Sequence, residues 1–223
     1  MGDAAIGILA SLVLSQIGVV LAFAIGGYKT ADDLPLWLIG ILEIPLWVGL
    51  LGAVFVASTR KGSGSLRADF GLAMRPRDVP IGLTAGFFGQ VAIILIVTPI
   101  YKLLGVDADK VGETAEKLAD RAVHGVDVVV LVLIVAIGAP VVEELFYRGL
   151  LLRSIEKRWG AAASVIGTSA LFAAIHFQWY DLLPLALAGL LFSVLAFRSG
   201  RLGPAIWAHI AFNLTAVVAL LRS

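Results

Sequence analysis

The stretch GAPVVEELFYRGLLLRS, Gly138–Ser154, places Glu143, Glu144 and Arg148 inside a run as apolar as a membrane span. A charge near the bilayer centre costs about 2.5–3.5 kcal/mol even on the mildest scale, so an intramembrane ionisable residue marks function. Two later apolar runs carry His176, at the end of FAAIH, and His209 with Asn213, in HIAFN. A carboxylate, two imidazoles and an amide suit amide hydrolysis. That reaction needs a base to activate water, donors for the tetrahedral oxyanion and a proton for the leaving amine. Taken singly, the histidines and Asn213 also suit the bland role of interhelical hydrogen-bonding glue.

Helical spacing sorts these groups. Glu144 and Arg148 stand at i and i+4, share a face and form a neutral, structural pair. Glu143 is turned about 100° away, and Tyr147 rather than a base occupies its own i+4 position, so it must find company on another helix or titrate. His209 and Asn213 are again i and i+4 and can address one point. Pro140 lacks an N–H and frees the carbonyl of Ala136, which predicts a kink one turn before Glu143. Such irregular backbone is tolerated at membrane depth where it lines a cavity. Glu43, beside Pro45, reads as structural or cavity-lining, and His124 as an exposed loop histidine.

The elements that must hold these residues are membrane helices. Of 223 residues, 60% are hydrophobic and 15% charged, with a mean hydropathy of +0.97. That is a polytopic, all-α transmembrane bundle rather than a soluble domain. A net charge of +1 gives no reason to invoke nucleic acid, and the lack of cysteine excludes disulfides and thiolate metal sites. At about 20 apolar residues per crossing, seven spans are expected, at 4–25, 35–57, 79–104, 127–152, 161–177, 182–197 and 202–221. The first reads as a retained helix, because Met1–Asp3 lack the basic start of a signal peptide.

Basic residues orient the bundle. Arg60, Lys61, Arg67, Arg75, Arg77, Arg153, Lys157, Arg158, Arg198 and Arg201 fall in one set of loops. The other set holds most of the acids: Asp32, Asp33, Asp107, Asp109, Glu113, Glu116, Asp120 and Asp181. The N-terminus is therefore expected in the cytoplasm of a cell-membrane protein, with substrate arriving from the cytoplasmic leaflet. Trp37, Trp159, Trp179, Tyr180 and Trp207 lie near span ends, as an aromatic belt would place them.

With EELFYR, FAAIH and HIAFN in this order, the sequence resembles the CAAX protease and bacteriocin-processing family of intramembrane endopeptidases, also called Abi. The family pattern is EExxxR, FxxxH and HxxxN on three membrane helices. The resemblance covers Val128–Leu221, and DFGL at Asp69–Leu72 looks family-like. It divides one integral-membrane domain into N-terminal helices with a cytoplasmic loop, 1–126, and a catalytic core, 127–223. Many family members have eight spans.

The resemblance implies hydrolysis of a membrane-associated, sometimes lipidated, peptide or protein within the bilayer. Glu143 with His176 would activate water, and His209 with Asn213 would face the oxyanion. The family is described both as glutamic and as metalloprotease. The alternative makes Glu143, His176 and His209 ligands of a single zinc ion, and the metal-free scheme is preferred here. Two other classes remain open: a non-catalytic membrane scaffold, whose mark would be a lost glutamate or histidine, and a proton-coupled transporter, whose mark would be paired repeats of broken helices. Straight helices put Glu143 and His209 about 15 and 9 Å from the basic end but His176 about 24 Å, so the fifth span is expected to be displaced.

Overall fold

In the computed structural model, residues 1–107 and 110–222 are described, which leaves Asp109 outside. Among the described residues every regular element is helical. The long helices are α1 (Gly2–Gly26), α2 (Leu36–Lys61), α4 (Asp78–Leu104), α9 (Leu182–Ser199) and α10 (Gly203–Leu220). Short α3 (Leu66–Phe70) and α5 (Glu113–Ala119) lie between them. A continuous 50-residue run, Gly125–Ala174, completes the set of six helices long and apolar enough to cross a membrane. It contains α6 (Gly125–Leu131), α7 (Ala139–Glu143) and α8 (Leu152–Ala174).

Fifty residues cannot cross a bilayer once, and the run turns at Gly160, whose φ of 79° and ψ of −178° lie outside the helical region. Only glycine adopts that conformation freely. The two arms, 125–159 and 161–174, account for the expected fourth and fifth spans. The second arm, Ala161–Ala174, is about 21 Å long at 1.5 Å per residue, too short to cross the hydrocarbon core. His176 therefore stands past its end, in a turn where Phe177 has a φ of 55°. The shortness of this arm is what reconciles the depth of His176 with the others.

The kink expected at Pro140 is absent. Gly138 and Ala139 keep right-handed helical angles, and the missing hydrogen bond is absorbed by π-helical turns on both sides of α7, Val132–Gly138 and Glu144–Leu151. Such wide turns cluster at functional sites. Every residue from Glu144 to Leu151 is buried, so the second π segment forms the axis of the bundle.

Small residues let the other helices close around it. Gly49 of α2 lies against the Ser11 backbone of α1, and Gly7 sits beneath Ala53 and Phe146. On the far side Gly82 and Gly86 of α4 meet the α10 backbone at Pro204 and Ala208. Without a hydrophobic drive between helices in lipid, such close approach is the main source of association. Trp207, expected in an aromatic belt, instead packs its Cβ against Gly82 and has a buried indole N–H.

Polar ties fix the two ends. At the basic end Arg201 grips the fully buried Asp78 through both oxygens, at 2.9 and 3.1 Å from Nε, with a further bond from its terminal nitrogen. The Leu202 N–H donates to Gly71 O at 2.8 Å, so the DFGL segment is bound to the start of α10. Asp69 accepts from Ser58 and from the Ser63 amide and hydroxyl, which hold its carboxyl down to about 2. At the opposite end the Gly112 N–H donates to Asp181 at 2.8 Å and the Tyr101 hydroxyl to Tyr180 O at 2.9 Å.

The α4–α10 contact gives a direct test. A Cβ on Gly86 overlaps the Ala208 carbonyl and lies 2.8 Å from Ala211 Cβ, whereas one on Gly52 meets nothing. Gly86→Val is expected to cost about 1–3 kcal/mol and lower the melting midpoint in detergent by several degrees. Gly52→Val should melt with the parent, and equal midpoints for all three would contradict the packing.

Candidate active site

The site is built around one oxygen. Glu144 Oε1 accepts from Arg148 Nη1 at 2.7 Å and lies 2.9 Å from His209 Nδ1, so the expected Glu144–Arg148 pair extends to a third residue on α10. Both ion-pair side chains are wholly buried. Arg148 also donates to Gly189 O at 3.0 Å and Ser193 Oγ at 3.4 Å, both on α9. Its guanidinium lies 4.6 Å from the Phe172 ring centroid and 5.3 Å from that of Phe192. Sequence reasoning passed over Gly189, Phe192 and Ser193. The signal present was a small, polar i, i+4 step, Gly189 and Ser193, on an otherwise apolar helix.

This network fixes the chemistry of His209. A carboxylate paired with arginine can only accept, so Nδ1–H of His209 donates to it and Nε2 is left toward Glu143. The His209 ring also stacks on Phe192, with centroids 4.4 Å apart and planes inclined by 21°. Glu143 Oε2 stands 3.7 Å from His209 Nε2, too long for a direct hydrogen bond and a span that one water can bridge. The partner that Glu143 lacks on its own helix is thus supplied by α10.

His176 is placed differently. Its Nδ1 is 2.6 Å from Phe172 O and donates to it, leaving Nε2 free. No hydrogen bond joins it to Glu143 or His209. The Phe172 ring stands between, its centroid 4.8 Å from the His176 ring and 5.8 Å from that of His209. Asn213 does not address the same point as His209 through both its groups. Its Nδ2 donates at 2.8 Å to Val135 O, a carbonyl in the first π segment, and not to the Ala136 carbonyl expected to be free.

Glu143, His176, His209 and Asn213 all line one cavity of about 730 Å³, together with Glu43, Gln90 and Tyr147. No lining residue comes from the basic segments 60–78, 153–160 or 198–202, whereas Val111, Gly112, Gln178 and Asp181 do line it. The cavity therefore runs from Glu143 toward the end that carries α5, away from the basic loops. Access from the basic side, as depth along straight helices suggested, is corrected by this shape.

The donor types are those of a His₂Glu zinc site, and each histidine has its Nδ1 anchored, as ligands usually do. Among the described residues, however, no three His, Cys, Asp or Glu side chains come together closely enough to hold a metal ion. The groups as arranged do not fit a zinc centre, and no step is derived through one.

An all-helical bundle with a buried ion pair behind an intramembrane Glu–His couple is an integral membrane protein of the hydrolytic kind the sequence resembles. Residues 125–215 match the family described as type II CAAX prenyl endopeptidase Rce1-like, which contains every site residue above. An uncharacterized 24.3 kDa protein of Escherichia coli is 39% identical over 89 residues, 38% of this chain and 40% of that protein. The chain thus matches well under half the length of this curated relative. No solved structure matches the chain.

Removing Arg148 strands Glu144 in a buried site, at a cost of about 3–5 kcal/mol. Arg148→Met should therefore lower the unfolding midpoint sharply, and Glu144→Gln with Arg148→Met should regain much of the loss. Losses that simply add in the double variant would show that the pair is not coupled.

Proposed function

We propose that this protein is an intramembrane endopeptidase in which Glu143 and His209 activate a water against a peptide bond. The observation that carries the reading is the cavity-facing Glu143 carboxylate, 3.7 Å from an imidazole nitrogen whose partner nitrogen is fixed by a buried ion pair. Glu143 takes a proton from the bridging water as its oxygen attacks the scissile carbonyl. His209, protonated at Nε2 and stabilised as a cation by Glu144, donates to the developing oxyanion. The second N–H of Asn213 and His176 Nε2 are the remaining polar groups on the cavity wall. Glu143 then returns its proton to the leaving amine, so that one water is consumed and one acid and one amine are formed.

Catalysis in this scheme is by carboxylate and imidazole without metal. The substrate class is a membrane-associated peptide. The basic loops face the cytoplasm, which puts the N-terminus inside and the mouth of the cavity on the outer side.

Glu143→Ala is expected to abolish cleavage of a membrane-peptide library by purified protein while leaving its melting midpoint close to the parent value. Exhaustive chelation should leave the parent active. Stoichiometric zinc by elemental analysis, lost in His209→Ala together with chelator-sensitive activity, would replace this scheme with a metal-dependent one.

The chain has no cysteine, so single introduced thiols report its orientation cleanly. Ser63→Cys should resist a membrane-impermeant thiol reagent in intact cells, and Trp179→Cys, at a residue 81% exposed, should react. Reversed labelling would place the cavity mouth in the cytoplasm.

A further inference from the structure

The cavity holds polar groups that water activation does not use. Glu43 lines it from α2, about two turns into the helix. It forms no hydrogen bond or salt bridge with any described residue. Gln90 lines it from α4, and its buried Oε1 has no hydrogen-bond partner. Two acceptors from different helices thus face one space without donors. A solitary carboxyl at membrane depth is costly to keep and marks a substrate or ion path.

The charge on the wall is one-sided. Three carboxyl residues line the cavity, Glu43, Glu143 and Asp181, and no lysine or arginine does. Arg148 is sealed behind Glu144 with no exposed side-chain surface. Lys110, near the α5 end, turns its ammonium onto the Tyr180 ring and hydroxyl. A peptide entering with a negative group, a free terminal carboxylate included, meets like charge and no cation to receive it. A peptide bringing an ammonium or guanidinium meets unpaired acceptors in a low-dielectric site, where opposite charges attract strongly. Discrimination of this kind combines attraction of one ligand with repulsion of its competitor.

We propose that the cavity selects peptide segments carrying a basic side chain, with Glu43 as the residue that receives its charge and Gln90 as the neutral acceptor that completes the contact. The proposal rests on the peptidase reading for its turnover but not for its binding. Glu43 acts here on specificity, apart from the water-activating couple.

The test uses fluorescent apolar decapeptides that differ only at one central residue: lysine, norleucine or glutamate. With the full-length protein in detergent, the lysine peptide is expected to have a KM at least tenfold below that of the norleucine peptide, with the glutamate peptide poorest. Glu43→Gln should bring the lysine and norleucine values to within about threefold, and Glu43→Lys should reverse the order in favour of glutamate. A merely structural Glu43 would change folding or kcat without inverting that order. The same three peptides are titrated by fluorescence anisotropy against Glu143→Gln protein, with and without Glu43→Lys. Charge-dependent binding that inverts there, with no cleavage by the parent, would sink the peptidase reading and keep the cation site. Equal affinity for all three peptides, or a preference indifferent to Glu43→Lys, overturns the proposal.

Discussion

A single buried oxygen, Glu144 Oε1, organises this molecule. It accepts from Arg148 on its own helix and from His209 on α10, while Arg148 reaches on to α9. Three segments are therefore tied through one carboxylate where water cannot compete. Taking two charges out of water is expensive and is repaid only by good geometry and further hydrogen bonds. The guanidinium meets that demand with a serine, a carbonyl and two aromatic faces. The structural pair and the reactive couple are thus one apparatus, because the bond that satisfies Glu144 also decides which nitrogen of His209 faces Glu143.

Around this centre the bundle divides its labour by end. The end with the basic loops is tied by Asp78–Arg201 and by the backbone bonds from the DFGL segment to α10. Those ties hold the start of the helix that carries His209. The opposite end is spanned by α5 and by lighter bonds at Asp181 and Tyr180, and there the cavity extends. A firmly braced floor beneath an open space suits a site that must keep sub-ångström geometry and still admit a chain.

Much of this was legible in the residues. The i, i+4 spacing gave the Glu144–Arg148 pair, and the isolation of Glu143 on its helix face correctly demanded a partner from elsewhere. The seven-span reading corresponds to six long helices once the turn at Gly160 is recognised. What escaped was set by tertiary packing. A proline in a helix signals a lost hydrogen bond, but whether the backbone kinks or widens depends on what neighbours can reach the freed carbonyl; here Asn213 reaches Val135. The direction of the cavity was equally hidden, since depth along straight helices ignores which helices part from one another. Asp78 and Arg201 read as ordinary loop charges because 123 residues separate them.

The π-helical segments on either side of α7 bear on how this sequence tolerates change in length. Each wide turn accommodates a residue beyond the α-helical count without displacing what lies before or after it. Deleting one residue between Val132 and Gly138 would let the backbone relax to ordinary α-helix and rotate the chain beyond it by about 100°. Hydropathy and span length would hardly alter, yet Glu143 would be swung off the wall it shares with His209. In this helix register is a chemical variable, and a gap of one residue is as consequential as replacement of the glutamate itself.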